Sequence, residues 1–286
     1  MTNAIDAWCN FFTPEGIRIV FTENPEVAFM MGDQWGRHHL MVGYEPQEFF
    51  DKVLDPAGVQ RVICPALQQY LYRDRELVRV PWESVAEVVQ KHPDRVSGMF
   101  GIDPHSGMKG VREFELAVKE YGFIGGHVHP FGFDEPINGA KFYPFYAKAA
   151  ELGVPVEFQT GHSAEFMPSK HGHPLLLDDV AIYFPELKLI GAHQAWPWID
   201  TMIAMAWKHP NVYIGSDAHS PRYWPESFVR YVNSYGQDKV VFGTDFPVLE
   251  FKRTMDEIDA LGLKPEVRRK LLRDNVRRIY GLEDRL

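Results

Sequence analysis

Cysteine is scarce: the chain of 286 residues has only Cys9 and Cys64. That number excludes a disulfide framework, and both thiols lie in strand-like stretches where they act as small hydrophobes. Long apolar runs are also missing. None approaches the roughly 18 residues of a membrane span, and no charged start followed by an apolar segment marks a secretory leader. A cytoplasmic protein with no membrane partner is expected. Positive charge is in deficit, with 30 Lys and Arg against 39 Asp and Glu for a formal net charge of -9. Binding a phosphate backbone needs a basic stripe that releases counterions, so no nucleic-acid partner is expected. Repeats, low-complexity tracts and linkers are absent too, which argues for one domain over residues 1–286.

What is present is an ample supply of core. The residues are 45% hydrophobic and 14% aromatic, a globular composition. Short apolar runs alternate with amphipathic segments, the pattern of a parallel sheet with crossover helices. Eight runs read as strands: Ile5 to Cys9, Gln60 to Cys64, Val96 to Ile102, Ile124 to His129, Val154 to Gln159, Leu187 to His193, Asn211 to Ser216 and Lys239 to Thr244. Pro81 to Lys91, Met108 to Tyr121 and Met202 to Lys208 carry apolar residues at helical spacing and read as outer helices. Eight parallel strands close into a (β/α)8 TIM barrel, whereas a doubly wound sheet usually has fewer and needs a switch point. The stretch from Asn10 to Tyr44, rich in Phe, Met, Trp and Gly, is an insertion after the first strand, expected to sit over the pocket mouth as a lid. His162 to Pro174 is a second long loop on the same face.

Barrel chemistry sits at the C-terminal strand ends, and these are polar here. The first strand runs into Asp6-Ala7-Trp8-Cys9-Asn10, the fourth into His127-Val128-His129, and the fifth into Gln159-Thr160-Gly161-His162. The sixth ends at His193, the seventh continues to Asp217-Ala218-His219, and the eighth ends Thr244-Asp245-Phe246-Pro247. Five of the 12 histidines fall on this rim. Singly, a strand-end His often only hydrogen-bonds a loop carbonyl, and an Asp before Phe-Pro often only caps a turn. Together they point to a shared pocket.

With these residues the chain resembles the amidohydrolase-related proteins grouped with aminocarboxymuconate semialdehyde decarboxylase. The matching phrases include Phe142-Tyr143-Pro144, Ala150-Glu151-Leu152-Gly153-Val154-Pro155-Val156, Leu177-Asp178-Asp179-Val180-Ala181, Ala192-His193, Lys208-His209-Pro210-Asn211-Val212-Tyr213, Phe242-Gly243-Thr244-Asp245-Phe246-Pro247 and Asp274-Asn275-Val276-Arg277-Arg278. They are collinear across nearly the whole chain. The resemblance implies a hydrolase or decarboxylase with a divalent metal held by His-x-His on the first strand, a His on the fifth and an Asp on the eighth. It also implies a sixth-strand His serving as acid/base or further ligand. In this chain the first pair aligns with Trp8 and Asn10, the fifth-strand His with Gln159, and only His193 and Asp245 stand unchanged.

Trp has no lone pair for a metal, and Asn and Gln bind zinc poorly. The leading expectation is therefore an enzyme with no cofactor, acting on a small carboxylated ring or lactone-type compound. Asp245 is then the general base and His193 its acid/base partner. Asp6, Trp8, Asn10, His127, His129, Gln159, His162, His219 and Arg222 are expected to bind substrate. Arg222, Arg73 and Arg75, in loops after strands, are candidates for a bidentate clamp on a substrate carboxylate. Two alternatives stand beside this reading. One is a zinc or manganese enzyme whose ligands have moved to His127, His129 and Asp245. The other is a catalytically silent binder of small molecules. A homodimer is expected from the general abundance of two-fold assemblies.

Overall fold

A computed structural model describes residues 3–282. Eight parallel strands follow one another around a single sheet: β1 (Ala4–Asp6), β2 (Val59–Pro65), β3 (Val96–Gly101), β4 (Phe123–Val128), β5 (Val156–Phe158), β6 (Leu189–Gly191), β7 (Val212–Gly215) and β8 (Val240–Val241). All eight expected strands are present, in order. The barrel closes where Ala7 N–H donates to Phe242 O (2.8 Å) and Asn10 N–H to Phe246 O (3.2 Å).

The ends of β1 and β8 stop short of the expected Cys9 and Thr244. Side chains replace the ladder there: Asp6 accepts the backbone N–H of Trp8 (2.9 Å) and of Thr244 (3.1 Å), and the Thr244 hydroxyl. Backbone groups that leave a ladder inside a protein need such partners. The change of partner frees the chain to turn Trp8 and Asp245 away from strand geometry.

The helices lie outside. Trp82–Lys91, Gly107–Glu120 and Ile199–Lys208 match the amphipathic segments, the last beginning three residues earlier than expected. A large apolar cluster packs helices on strands. A second takes Ile5, Ile63, Met99, Ile190 and Val241 from the strands together with Val276, Ile279 and Tyr280 from the helix Asn275–Tyr280. Residues from so many strands meet one helix only along the barrel axis, which is filled with side chains as in other barrels of this kind. Among the described residues no helix is long and apolar enough to cross a membrane.

The insertion after β1 is built of short helical turns, two of them begun by proline at Pro14 and Pro25, where the missing N–H costs nothing. It reaches across the rim as expected of a lid. Glu26 accepts the Phe166 N–H (2.9 Å), and the Phe29 and Phe166 rings lie 5.8 Å apart, joining this segment to the loop after β5.

Candidate active site

A cavity of about 940 Å³ opens at the C-terminal ends of the strands. The insertion contributes Val20, Phe21, Met30 and Arg37 to its wall, and the rim contributes Asn10, His129, Gln159, His162, His193, His219 and Asp245. Seven expected site residues are thus brought together.

The floor is organised around Asp245 and His193. Both have left-handed backbone, each with φ of 57°, which non-glycine residues adopt only where their surroundings compel it. Gln194 (52°) and Ala195 (54°) continue the left-handed run after His193. What compels it is visible. Asp217 accepts the His193 N–H (2.9 Å) and faces its Nδ1, while Asp245 N–H donates to Trp8 O (2.8 Å). Gly215 leaves the room Asp217 needs, since a Cβ there would stand 2.4 Å from its Oδ1. With Nδ1 held by Asp217, Nε2 is the His193 nitrogen left for the cavity.

Electrostatics set these two groups apart from their neighbours. Burial pushes the Asp245 carboxyl up to about 7, assisted by Asp217 and opposed by His193, Asn10 and Trp8. Burial alone lowers His193, but Asp217 first, then Asp245 and Glu165, outweigh it and hold the imidazole above its ordinary value. By contrast desolvation, with His193 adding to it, takes His219 down to about 4, and desolvation lowers His162. Near neutrality His219 is therefore neutral and Asp245 close to its midpoint, while Asp217 shifts His193 toward its charged form.

Four expected substrate contacts are corrected. Asp6 is fully buried, and its oxygens are committed to closing the barrel. Trp8 lies beneath the floor, its ring edge-on to His127 at 4.8 Å and to His193 at 5.2 Å. His127 is buried below the cavity with both ring nitrogens unpaired among the described residues, and burial keeps it neutral. Arg222 turns outward over the Tyr223 ring, 3.9 Å from Glu257. Arg73 and Arg75 likewise lie over Phe166 and Tyr70 and outside the cavity lining. Arg37 and Arg253 line it instead.

Three contributors went unread in the sequence. Asp217, seen there only as part of the seventh strand's end, is the partner of His193. Glu165 lies in the loop after β5 and Gln69 in the short hairpin of Gln68–Tyr70 and Leu77–Arg79. Neither belongs to a barrel strand end, so strand periodicity carried no signal for them.

A parallel barrel whose polar rim, with His193 and Asp245 just past its sixth and eighth strands, lines one cavity has the layout of a barrel enzyme's active site. The chain belongs to the amidohydrolase family of enzymes, whose family model matches residues 5–282. It is 22% identical to gamma-resorcylate decarboxylase of Rhodococcus jostii, over 94% of this chain and 97% of that protein. Among solved structures it is similar to an uncharacterised TIM-barrel protein of Bordetella bronchiseptica (TM-score 0.78, 22% identity, 97% of this chain and 98% of that one). Another is a dihydroxybenzoic acid decarboxylase of Polaromonas with bound manganese and 2-nitroresorcinol (TM-score 0.72, 20% identity, 99% and 98%).

The expectation of a cofactor-free enzyme is corrected by these comparisons. Manganese is bound in that decarboxylase and in structures of a 5-carboxyvanillate decarboxylase of the same fold, so divalent metal belongs to the chemistry of such barrels. The residues of this chain do not fit a metal at the corresponding place. Asn10 Nδ2 donates to Asp245 Oδ1 at 2.7 Å, an N–H presented to the carboxylate, and the Trp8 indole fills the space between His127 and His193. The relocated set of His127, His129 and Asp245 is not formed either. His129 Nδ1 accepts the Gly132 N–H (3.1 Å), and among the described residues no group of three or more His, Cys, Asp or Glu is arranged to hold a metal ion.

Proposed function

We propose that this enzyme decarboxylates a small aromatic carboxylate, with Asp245 delivering the proton and His193, held above its ordinary value by Asp217, orienting the carboxylate. The observation that carries the reading is the pairing on one floor of a carboxyl raised to about 7 with an imidazole raised by a buried Asp. A group with a pKa near the working pH is suited to proton transfer, and a protonated Asp245 does not repel an anionic ring. The largely apolar wall of Val20, Phe21 and Met30 suits a flat ring. Names of relatives support the same class, since the Rhodococcus jostii and Polaromonas proteins are decarboxylases of hydroxylated benzoates.

In the reaction a C–H bond forms between the Asp245 proton and the ring carbon that bears the carboxylate. The C–C bond to the carboxylate then breaks, its electron pair returns to the ring, and CO2 leaves. Asp245 ends as a carboxylate and is reprotonated from solvent. Neutral His219 and His162 offer hydrogen bonds to ring substituents without adding charge.

Carbon dioxide release from a panel of hydroxylated and aminated benzoates in D2O tests the reading. One deuterium at the vacated ring carbon is the expected result. Uptake of solvent oxygen without CO2 would move the assignment to hydration or hydrolysis with Asp245 as base.

The pair also predicts a pH profile. Activity requires protonated Asp245, so kcat/KM should fall as pH rises through about 7. Asp217 raises both Asp245 and His193. Asp217→Asn is therefore expected to move the falling limb to lower pH and to cut kcat/KM by roughly tenfold to a hundredfold. An unmoved limb would show that Asp217 does not set either group.

A further inference from the structure

One corner of the cavity is built differently from the floor. Glu165 lines it with a side chain only 10% exposed, and Gln69 and His129, each 1% exposed, hold it there. Gln69 Nε2 donates to Glu165 Oε1, and His129 Nε2 lies 3.4 Å from Oε2. Since His129 Nδ1 already accepts the Gly132 N–H, Nε2 is the nitrogen that bears hydrogen.

A carboxylate offers about four acceptor positions, and the donors directed at it, from Gln69, His129 and the Asn24 side chain, occupy only part of them. Gln69 Oε1, turned away by the donation to Glu165, is buried without a partner among the described residues. With three donors on about four positions, Glu165 keeps acceptor capacity for one more donor. Burial raises the Glu165 carboxyl, but His129 first, then Gln69 and Asn24, outweigh it and hold the group below its ordinary value. A buried anion with spare acceptor capacity repels a second carboxylate and is best satisfied by an N–H or O–H from a ligand.

We infer that Glu165 is a specificity-determining residue that binds an amino or hydroxyl substituent on the ring of the substrate, held in place by Gln69 and His129. The inference rests on the proposed aromatic-carboxylate reading of the cavity and narrows it to rings bearing a hydrogen-bond donor. Dicarboxylated rings are excluded from that corner.

Binding by titration calorimetry tests it without requiring turnover. The probes are the aminobenzoates, hydroxybenzoates, toluates, phthalates and benzoate itself, against the unsubstituted enzyme and the Glu165→Gln variant. At least one aminobenzoate or hydroxybenzoate isomer should bind about tenfold or more tightly than benzoate, the ratio expected of a hydrogen bond to a charged group. Toluates should show no such advantage, and phthalates should bind more weakly than benzoate. In Glu165→Gln the advantage over benzoate should fall to threefold or less, with circular dichroism confirming the fold. Glu165→Asp, which keeps the charge and shortens the reach, should retain part of the selectivity. An unchanged donor-to-benzoate ratio in Glu165→Gln, or preference for a dicarboxylate, would overturn the role of Glu165. Failure of every benzoate to bind either protein would overturn the substrate class itself, and this inference with it.

Discussion

Asp245→Asn is expected to abolish turnover, by about 10⁴-fold at the upper range for a positioned acid/base group, while the fold remains intact. Asn keeps the shape and can still meet Asn10, but it has no proton to give. The same substitution carries a stability signature. Because the carboxyl is raised from 3.8 to about 7 in the folded state, folding favours its protonated form. Its contribution is complete below pH 3.8 and is lost as pH rises to about 7. The variant should therefore match or exceed the parent in Tm at pH 8 and lose any such advantage at low pH. Thermal melts at both pH values, beside single-turnover kinetics, separate a chemical role from a structural one. Turnover at the parental rate would sink the proposed mechanism.

Trp8→Ala is expected to have the largest effect on stability. The side chain is fully buried and packs edge-on against both His127 and His193. Removing an indole from such a place leaves a cavity and typically costs roughly 3–5 kcal/mol, on the order of 10 °C in Tm for a chain of this size. Activity should fall as well, because His193 loses the surface that sets its ring plane while keeping only Asp217. Trp8→Phe, which retains an aromatic edge, should recover most of the Tm and part of the activity. A Trp8→Ala protein that melts within 2 °C of the parent, a bound set by the same scaling, would show that the floor is not held by this packing.

These two residues illustrate how unevenly the site was written in the sequence. Asp245 and His193 were legible because each ends a run of apolar residues that can only be a barrel strand, and the strand's end is where chemistry collects. Trp8 was equally visible, but its alternation with Asp6 and Asn10 suggested a common face on the pocket. The chain leaves β1 after Asp6, so Asn10 rises to the rim while Trp8 turns under it. Arg222 read as a clamp because it follows a strand end, yet an exposed guanidinium finds Glu257 and an aromatic face nearer than the cavity.

The sequence by itself determined the eight-stranded barrel, the insertion after β1, the family, and the rim position of Asp245 and His193, because apolar periodicity and strand-end position are properties of neighbouring residues. Only the tertiary structure decided which groups meet. Asp217 reaches His193 from the adjacent strand, and Glu165 and Gln69, 96 residues apart in the chain, meet at one corner of the cavity. Closure of the barrel creates those contacts, and the pKa of each group follows from burial and neighbours that exist only after closure.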